Sequence, residues 1–121
     1  MMVYLRQKFM LTIRKKQGFT LVEIMIVVAI IGLLAAVAIP NFMRSRERAQ
    51  TNACISNLKQ IAGAKTLWAI DYGAITGDPV MMSDLCTAYF KTAPQCPAGG
   101  TYTLGAVGTE PTCSVSGHEL P

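Results

Sequence analysis

From Ile24 to Ile39 the chain carries no charged or strongly polar side chain, and a basic cluster, Arg14-Lys15-Lys16, stands shortly before this run. Nothing else in the sequence constrains the fold as tightly. As a helix, Phe19 to Ile39 rises about 31 Å at roughly 1.5 Å per residue, enough to cross the hydrocarbon core of a bilayer. Positive residues ahead of the span, with the longer part of the chain behind it, place the N-terminus in the cytoplasm. A single membrane crossing is expected.

Charge is distributed just as unevenly. Five of the eleven basic residues (Arg6, Lys8, Arg14, Lys15 and Lys16) precede Gly18, and no acidic residue does. Beyond Gly18 six Lys and Arg face seven Asp and Glu, so the net charge of +4 belongs to the leading segment. The usual inference from a basic chain to a nucleic-acid partner therefore loses its basis, and none is expected. At 51% hydrophobic and 15% charged residues the chain is no disordered tail. Its 121 residues leave no room for a two-lobed enzyme with a deep cleft. The part beyond the span must fold around a thin core, where covalent or metal staples often supplement packing.

Three readings compete for the apolar segment. A secretory signal peptide would be cut after Ala36-Val37-Ala38. A plain anchor would need only the apolar run. Neither explains Glu23, which sits inside the span, where a carboxylate costs on the order of 3 kcal/mol and marks a functional position.

The residues Gly18-Phe19-Thr20-Leu21-Val22-Glu23, followed by the run from Ile24 through Gly32 to Pro40, resemble the N-terminus of type IV pilins and type II secretion pseudopilins. The match is dense over this stretch, and beyond about residue 45 only the general layout is similar. The resemblance implies a leader, 1–18, cut between Gly18 and Phe19 by a prepilin peptidase that also N-methylates the new amine of Phe19. It implies that Glu23 neutralises the N-terminal amine of a neighbouring subunit, an assembly role. Physics agrees, because an ammonium and a carboxylate in an apolar bundle are tolerated only as a pair. Further partners implied are other copies of the chain, minor pilins, a membrane platform protein, an assembly ATPase, and the lipid bilayer before assembly. The implied location is the bacterial inner membrane, then a periplasmic or cell-surface filament.

Segments 19–40 and 41–71 are expected to form one long helix, apolar first and amphipathic after. Gly32 and Pro40 are its weak points, and Pro40 should kink or loosen it. Cys54, Leu58, Ile61, Lys65 and Trp68 recur at helical steps, flanked by Ile55, Ala62 and Ala69, and define the face to be covered. Gly73 is the expected stop. Arg44, Arg46 and Arg48 suit either lipid headgroups and neighbouring subunits or a solvated face.

Residues 72–121 are expected to make a small head. Gly77-Asp78-Pro79 punctuates a loop, Ser83 opens a short helix ending near Lys91, and Met81 and Met82 fill the core. Tyr102, Leu104 and Ala106 alternate along one strand, Gly108-Thr109-Glu110-Pro111 turns, and Thr112 to Ser116 returns as a β-hairpin packed on the helix face. The fold class is α+β.

Cys54, Cys86, Cys96 and Cys113 all follow the span, and an even count in a small exported domain favours disulfides. Three pairings are open, with Cys96–Cys113 and Cys54–Cys86 preferred. Zinc is the rival, disfavoured for want of a C-x-x-C pair and because His118, the only histidine, reads as an ordinary surface residue. Asp71, Asp78 and Asp84 fit no calcium loop, although major pseudopilins carry calcium in this region. No metal or cofactor is expected, and no catalytic motif is present. The expected role is structural: a subunit of a type IV pilus-like filament. A type II secretion pseudopilin remains open, as does, in a different class, a small disulfide-stapled exported binding protein with an ordinary signal peptide.

Overall fold

The computed structural model describes residues 17–121, so the expected leader falls outside it apart from Gln17 and Gly18. The chain divides into two compact units, one reaching to Val37 and the other Ala38–Pro121. Helix α1, Leu21–Tyr72, contributes to both and is followed by a single-turn helix α2, Met82–Leu85, and two short strands, β1 Tyr102–Thr103 and β2 Thr112–Cys113. A long N-terminal helix with a small antiparallel sheet is the expected α+β class.

In the first unit the helix starts where local chemistry dictates. The Thr20 hydroxyl accepts a hydrogen bond from the Glu23 N–H at 3.2 Å, and the Thr20 carbonyl takes the first helical bond, from Ile24 N, at 3.3 Å. Thr20 is thus the N-cap, and Glu23 lies in the first turn, where the helix dipole favours negative charge. The helix continues without a break through Gly32 and Pro40. Proline deprives it of one hydrogen bond there but does not end it.

The second unit is organised by the helix face that the spacing predicts. Cys54, Leu58, Ile61, Ala64 and Lys65 are the buried residues of α1. One core cluster joins Ile61 and Ala64 to Val80, Leu85, Leu104 and Val107, with Trp68 packed against it. A second joins Cys54 and Leu58 to Cys96, bordered by Tyr102, Cys113, Val115 and Leu120. Side chains such as Leu58 and Ile61 contribute about 1.5–3 kcal/mol each on burial, and few residues here are buried completely. The core is thin, as anticipated.

The ends of the elements differ from expectation in instructive ways. α1 runs two residues past Ile70 and closes with Gly73 at φ +66° and an Ala74 N–H bond to the Ala69 carbonyl at 2.9 Å. This is a Schellman closure, which glycine permits because it lacks a Cβ. α2 is shorter than expected and begins one residue before Ser83. The Asp84 carboxylate reaches back to the Met81 N–H at 2.8 Å, making Met81 the cap, and Cys86 is already extended. Met82 packs on the core, but Met81 is 68% exposed and fills nothing.

The hairpin is also shorter. Tyr102 pairs with Cys113 and Thr103 with Thr112, and there the ladder stops. Gly105, at φ +66°, turns the chain out of the strand. Val107 instead exchanges backbone bonds with the 77–78 loop, donating to the Asp78 carbonyl and accepting from Gly77 N, both at 2.9 Å. The alternation read from Tyr102 and Leu104 therefore fails beyond Gly105, and Val107 is buried while Ala106 is only half-buried.

Candidate functional site

Two regions carry the residues singled out above. In the N-terminal one, Gly18, Phe19 and Glu23 are all exposed, Phe19 by 79%. Exposure continues along the apolar part of α1, where an 18-residue window of mean hydropathy 2.9 has none of its residues buried within the chain. Leu21, Ile31, Leu33 and Leu34 each present 60% or more of their surface. Contiguous apolar surface on this scale does not persist in water and must be met by lipid or by other apolar helices. A Cβ at Gly32 would meet nothing within 4 Å, so that position is open to a neighbour. Arg44, Arg46 and Arg48 are exposed as well.

In the second unit the fold gathers residues that are far apart in sequence. The ligand atoms of Cys54, Cys96, Cys113 and His118 lie within 4.8 Å of one another. All four cysteines are thiols, and Cys86 stands outside the group, at the end of α2. The preferred Cys54–Cys86 pairing thus has no support from the geometry, since Cys54 faces Cys96 and Cys113 across the second core cluster. His118 is corrected too. It is buried at 5% exposure, its Nδ1 lies 3.6 Å from Cys96 Sγ, and its Nε2 lies 3.2 Å from the Thr51 hydroxyl.

The backbone shapes this pocket. Cys96-Pro97-Ala98-Gly99-Gly100 wraps back on itself, with Gly99 N bonded to the Cys96 carbonyl at 3.0 Å and Gly99 at φ +82°. Burial pushes the Cys96 thiol up, but the backbone N–H groups of Ala98 and Gly100 are the chief opposing influence, and the thiol is brought down to about 6. Burial pushes Cys54 up to about 12, against the hydrogen bond that it accepts from the Tyr102 hydroxyl. The surroundings of the two adjacent thiols thus act in opposite directions, burial raising Cys54 and backbone N–H groups lowering Cys96.

Gly100 permits the close approach. A Cβ there would sit 2.7 Å from Val115 Cγ2 and 2.8 Å from Cys113 Sγ. Gly100→Ala is expected to destabilise the chain by about 1–3 kcal/mol through overpacking, measured as a lower denaturant midpoint in detergent. An unchanged midpoint would show that β2 yields freely.

The three aspartates weighed for calcium are not brought together. Asp71 accepts from the Tyr89 hydroxyl, Asp78 from Ile75 N at 2.9 Å and Asp84 from Met81 N. Each serves a separate local contact. Sequence reasoning missed His118 as a buried group and Thr51 as its partner. The traces it could have used are the Cys113-x4-His118 spacing and the Gly-Gly pair soon after Cys96.

Comparison with known proteins finds a motif match at the N-terminus and relatives that align over most of the chain. Residues 13–39 match the family model described as the prokaryotic N-terminal methylation motif. The type IV wide pilus major component PilA4 of Thermus thermophilus is 30% identical over 105 residues, covering 87% of this chain and 76% of that protein. The type II secretion system core protein G of Pseudomonas aeruginosa is 32% identical over 111 residues, covering 80% and 78%. The type IV major pilin protein PilA of Myxococcus xanthus is 51% identical over 51 residues, which are 42% of this chain and 23% of that one. No solved structure matches.

Proposed function

The chain belongs to the family of type IV pilins and type II secretion pseudopilins, and from that premise we propose that it is a structural subunit of a type IV pilus-like filament. The observation that carries this reading is the apolar half of α1, wholly unburied within its own chain. Such a helix needs an apolar environment twice, first as lipid and then as the packed helices of a filament.

The chemistry follows in order. A membrane peptidase cuts between Gly18 and Phe19, and the new amine of Phe19 is N-methylated. The N-terminus starts on the cytoplasmic side of the inner membrane, with the residues beyond Pro40 exported. On assembly the Glu23 carboxylate neutralises the Phe19 amine of an adjacent subunit, which removes the cost of burying either charge alone. That pairing selects one axial register among many that apolar contact would tolerate. A platform protein and an assembly ATPase supply the work of extraction from the bilayer.

A pseudopilus subunit is the second reading, favoured by relatives named core protein G that match across about three-quarters of both chains. Deleting the gene separates the two: loss of sheared surface filaments supports the pilus, and loss of secreted protein with surface filaments intact supports the pseudopilus.

The processing step is tested by the intact mass and N-terminal sequence of the protein from membranes. The expected chain begins at N-methylated Phe19. One beginning at Ile39 would show signal-peptidase cleavage after Ala36-Val37-Ala38 and overturn the filament reading.

A further inference from the structure

Cys54 in α1, Cys96 in the loop before β1, Cys113 in β2 and His118 in the C-terminal tail bring three sulfurs and an imidazole to one buried point, within 4.8 Å of one another. We propose that these four residues form a tetrahedral Cys3His site for a structural zinc ion. The proposal goes beyond the filament reading and stands without it.

Geometry comes first. With Zn–S near 2.3 Å and Zn–N near 2.0–2.1 Å, ligand atoms at tetrahedral corners stand roughly 3.5–3.8 Å apart. Cys96 Sγ and His118 Nδ1 are already at 3.6 Å, and closing the widest separation takes a contraction of about 1 Å. Cys54, Cys96 and His118 are buried, as a closed structural site requires, and Cys113 is half-buried.

The tautomer of His118 can be assigned from its neighbours. The Thr51 hydroxyl donates its one proton to the Glu47 carbonyl, 2.9 Å away. It can therefore only accept from His118 Nε2 at 3.2 Å, so the proton of the neutral ring sits on Nε2. Nδ1 is left with a free lone pair beside Cys96. A histidine held by a hydrogen bond at one nitrogen, with the other bare and directed at thiols, is the arrangement found around metal-bound imidazoles.

The sulfurs have matching outer support. Backbone N–H groups of Ala98 and Gly100 point at Cys96 Sγ. The Tyr102 hydroxyl donates to Cys54 Sγ at 3.5 Å and is itself supported by Asn57 Nδ2 at 3.1 Å. A zinc ion with three thiolates carries one net negative charge, and these donors face it. Gly100 runs so close to two sulfurs that a Cβ would lie 2.8 Å from one and 3.3 Å from the other.

Stoichiometry separates zinc from the disulfides usual in exported domains. A disulfide within the group consumes two thiols and leaves the third beside an unused imidazole, with Cys86 out of the group. Zinc uses all four groups and ties helix, loop, strand and tail across the thin core. Three sulfurs and a nitrogen, with no carboxylate, also exclude calcium and magnesium as the fitting ion. Binding releases the thiol protons to solvent.

The test uses the full chain purified in detergent, with zinc and cobalt(II) as probes. Elemental analysis is expected to find about one zinc per chain, and cobalt exchange to give the visible bands of a tetrahedral thiolate site. A thiol reagent should modify Cys86 alone until a chelator is added. Thr51→Val should weaken zinc about 10–100-fold, His118→Ala and Cys113→Ser should abolish stoichiometric binding, and Cys86→Ser should change nothing. The wild-type cobalt spectrum decides the matter even where a variant fails to fold. A disulfide among Cys54, Cys96 and Cys113 in protein taken from membranes, iron in place of zinc, or cobalt bound without thiolate bands would each overturn the proposal.

Discussion

Glu23→Leu is expected to leave the chain in the membrane and to remove it from filaments. The two effects separate because they depend on opposite properties of one side chain. Within a single subunit Glu23 is exposed in the first turn of α1, whose N-cap is Thr20, and its carboxylate lies where the helix dipole favours negative charge. Replacing a carboxylate by leucine in an apolar span relieves a cost on the order of 3 kcal/mol, so insertion cannot suffer. Under the proposed pairing, the same change in a filament would leave the amine of Phe19 among apolar helices without a counter-charge. Removing one partner of a buried pair costs about 3–5 kcal/mol, roughly two to three and a half decades in each association step. Sheared filaments should fall below detection while the membrane-bound pool stays at wild-type level. Filaments in normal number from Glu23→Leu would mean that the amine finds another partner and that Glu23 does not set the register.

How far such expectations could be read in advance depends on how local their causes are. The match of residues 13–39 to the N-terminal methylation motif rests on one contiguous stretch, legible from residue types and order; the cleavage junction Gly18–Phe19 and the role of Glu23 within it are proposals. The covered face of α1 was equally legible, since Cys54, Leu58 and Ile61 fall at steps that only a helix brings to one side. Gly73 could be recognised as the stop because a left-handed closure has few other residues to use. The short hairpin was harder. Alternation at Tyr102 and Leu104 says nothing of the turn at Gly105 that hands Val107 to a different partner.

The Cys–His group was the least legible. It joins positions 54, 96, 113 and 118, and their meeting is a product of tertiary packing that no spacing rule encodes. Only the Cys113-x4-His118 pair is local. His118 looked like a tail residue until the fold placed Thr51, a full helical turn from Glu47, against its ring. Buried polar groups of this kind declare themselves through partners, and the partners here come from another element.

Lys65→Met is expected to lower the melting temperature of the detergent-solubilised chain by about 10–20 °C, at roughly 4–8 °C per kcal/mol for a head of this size. Lys65 interrupts the apolar stripe of α1 yet is only 3% exposed. Its ammonium donates to the carbonyls of Leu104, Ala106 at 2.9 Å and Thr109 at 2.6 Å, binding the segment after β1 to the helix where the strand ladder has already ended. Methionine fills the stem but offers no donor. Each carbonyl left without a partner away from water costs about 1–3 kcal/mol, and relief from burying a charge offsets part of the sum. A net loss of about 2–3 kcal/mol follows. Lys59→Met, on the exposed side of the same helix, should stay within about 0.5 kcal/mol of wild type. The pH dependence carries a second signature. Burial lowers the Lys65 pKa from 10.5, so the unfolded chain holds this proton more tightly than the folded one. Stability contributed by this group therefore rises with pH, from the lowered value up to the ordinary one. Lys65→Met should lack that rise relative to wild type. Equal melting temperatures for wild type and Lys65→Met would show that the 104–109 segment is held by Val107 and its partners in the 77–78 loop, with the lysine an onlooker.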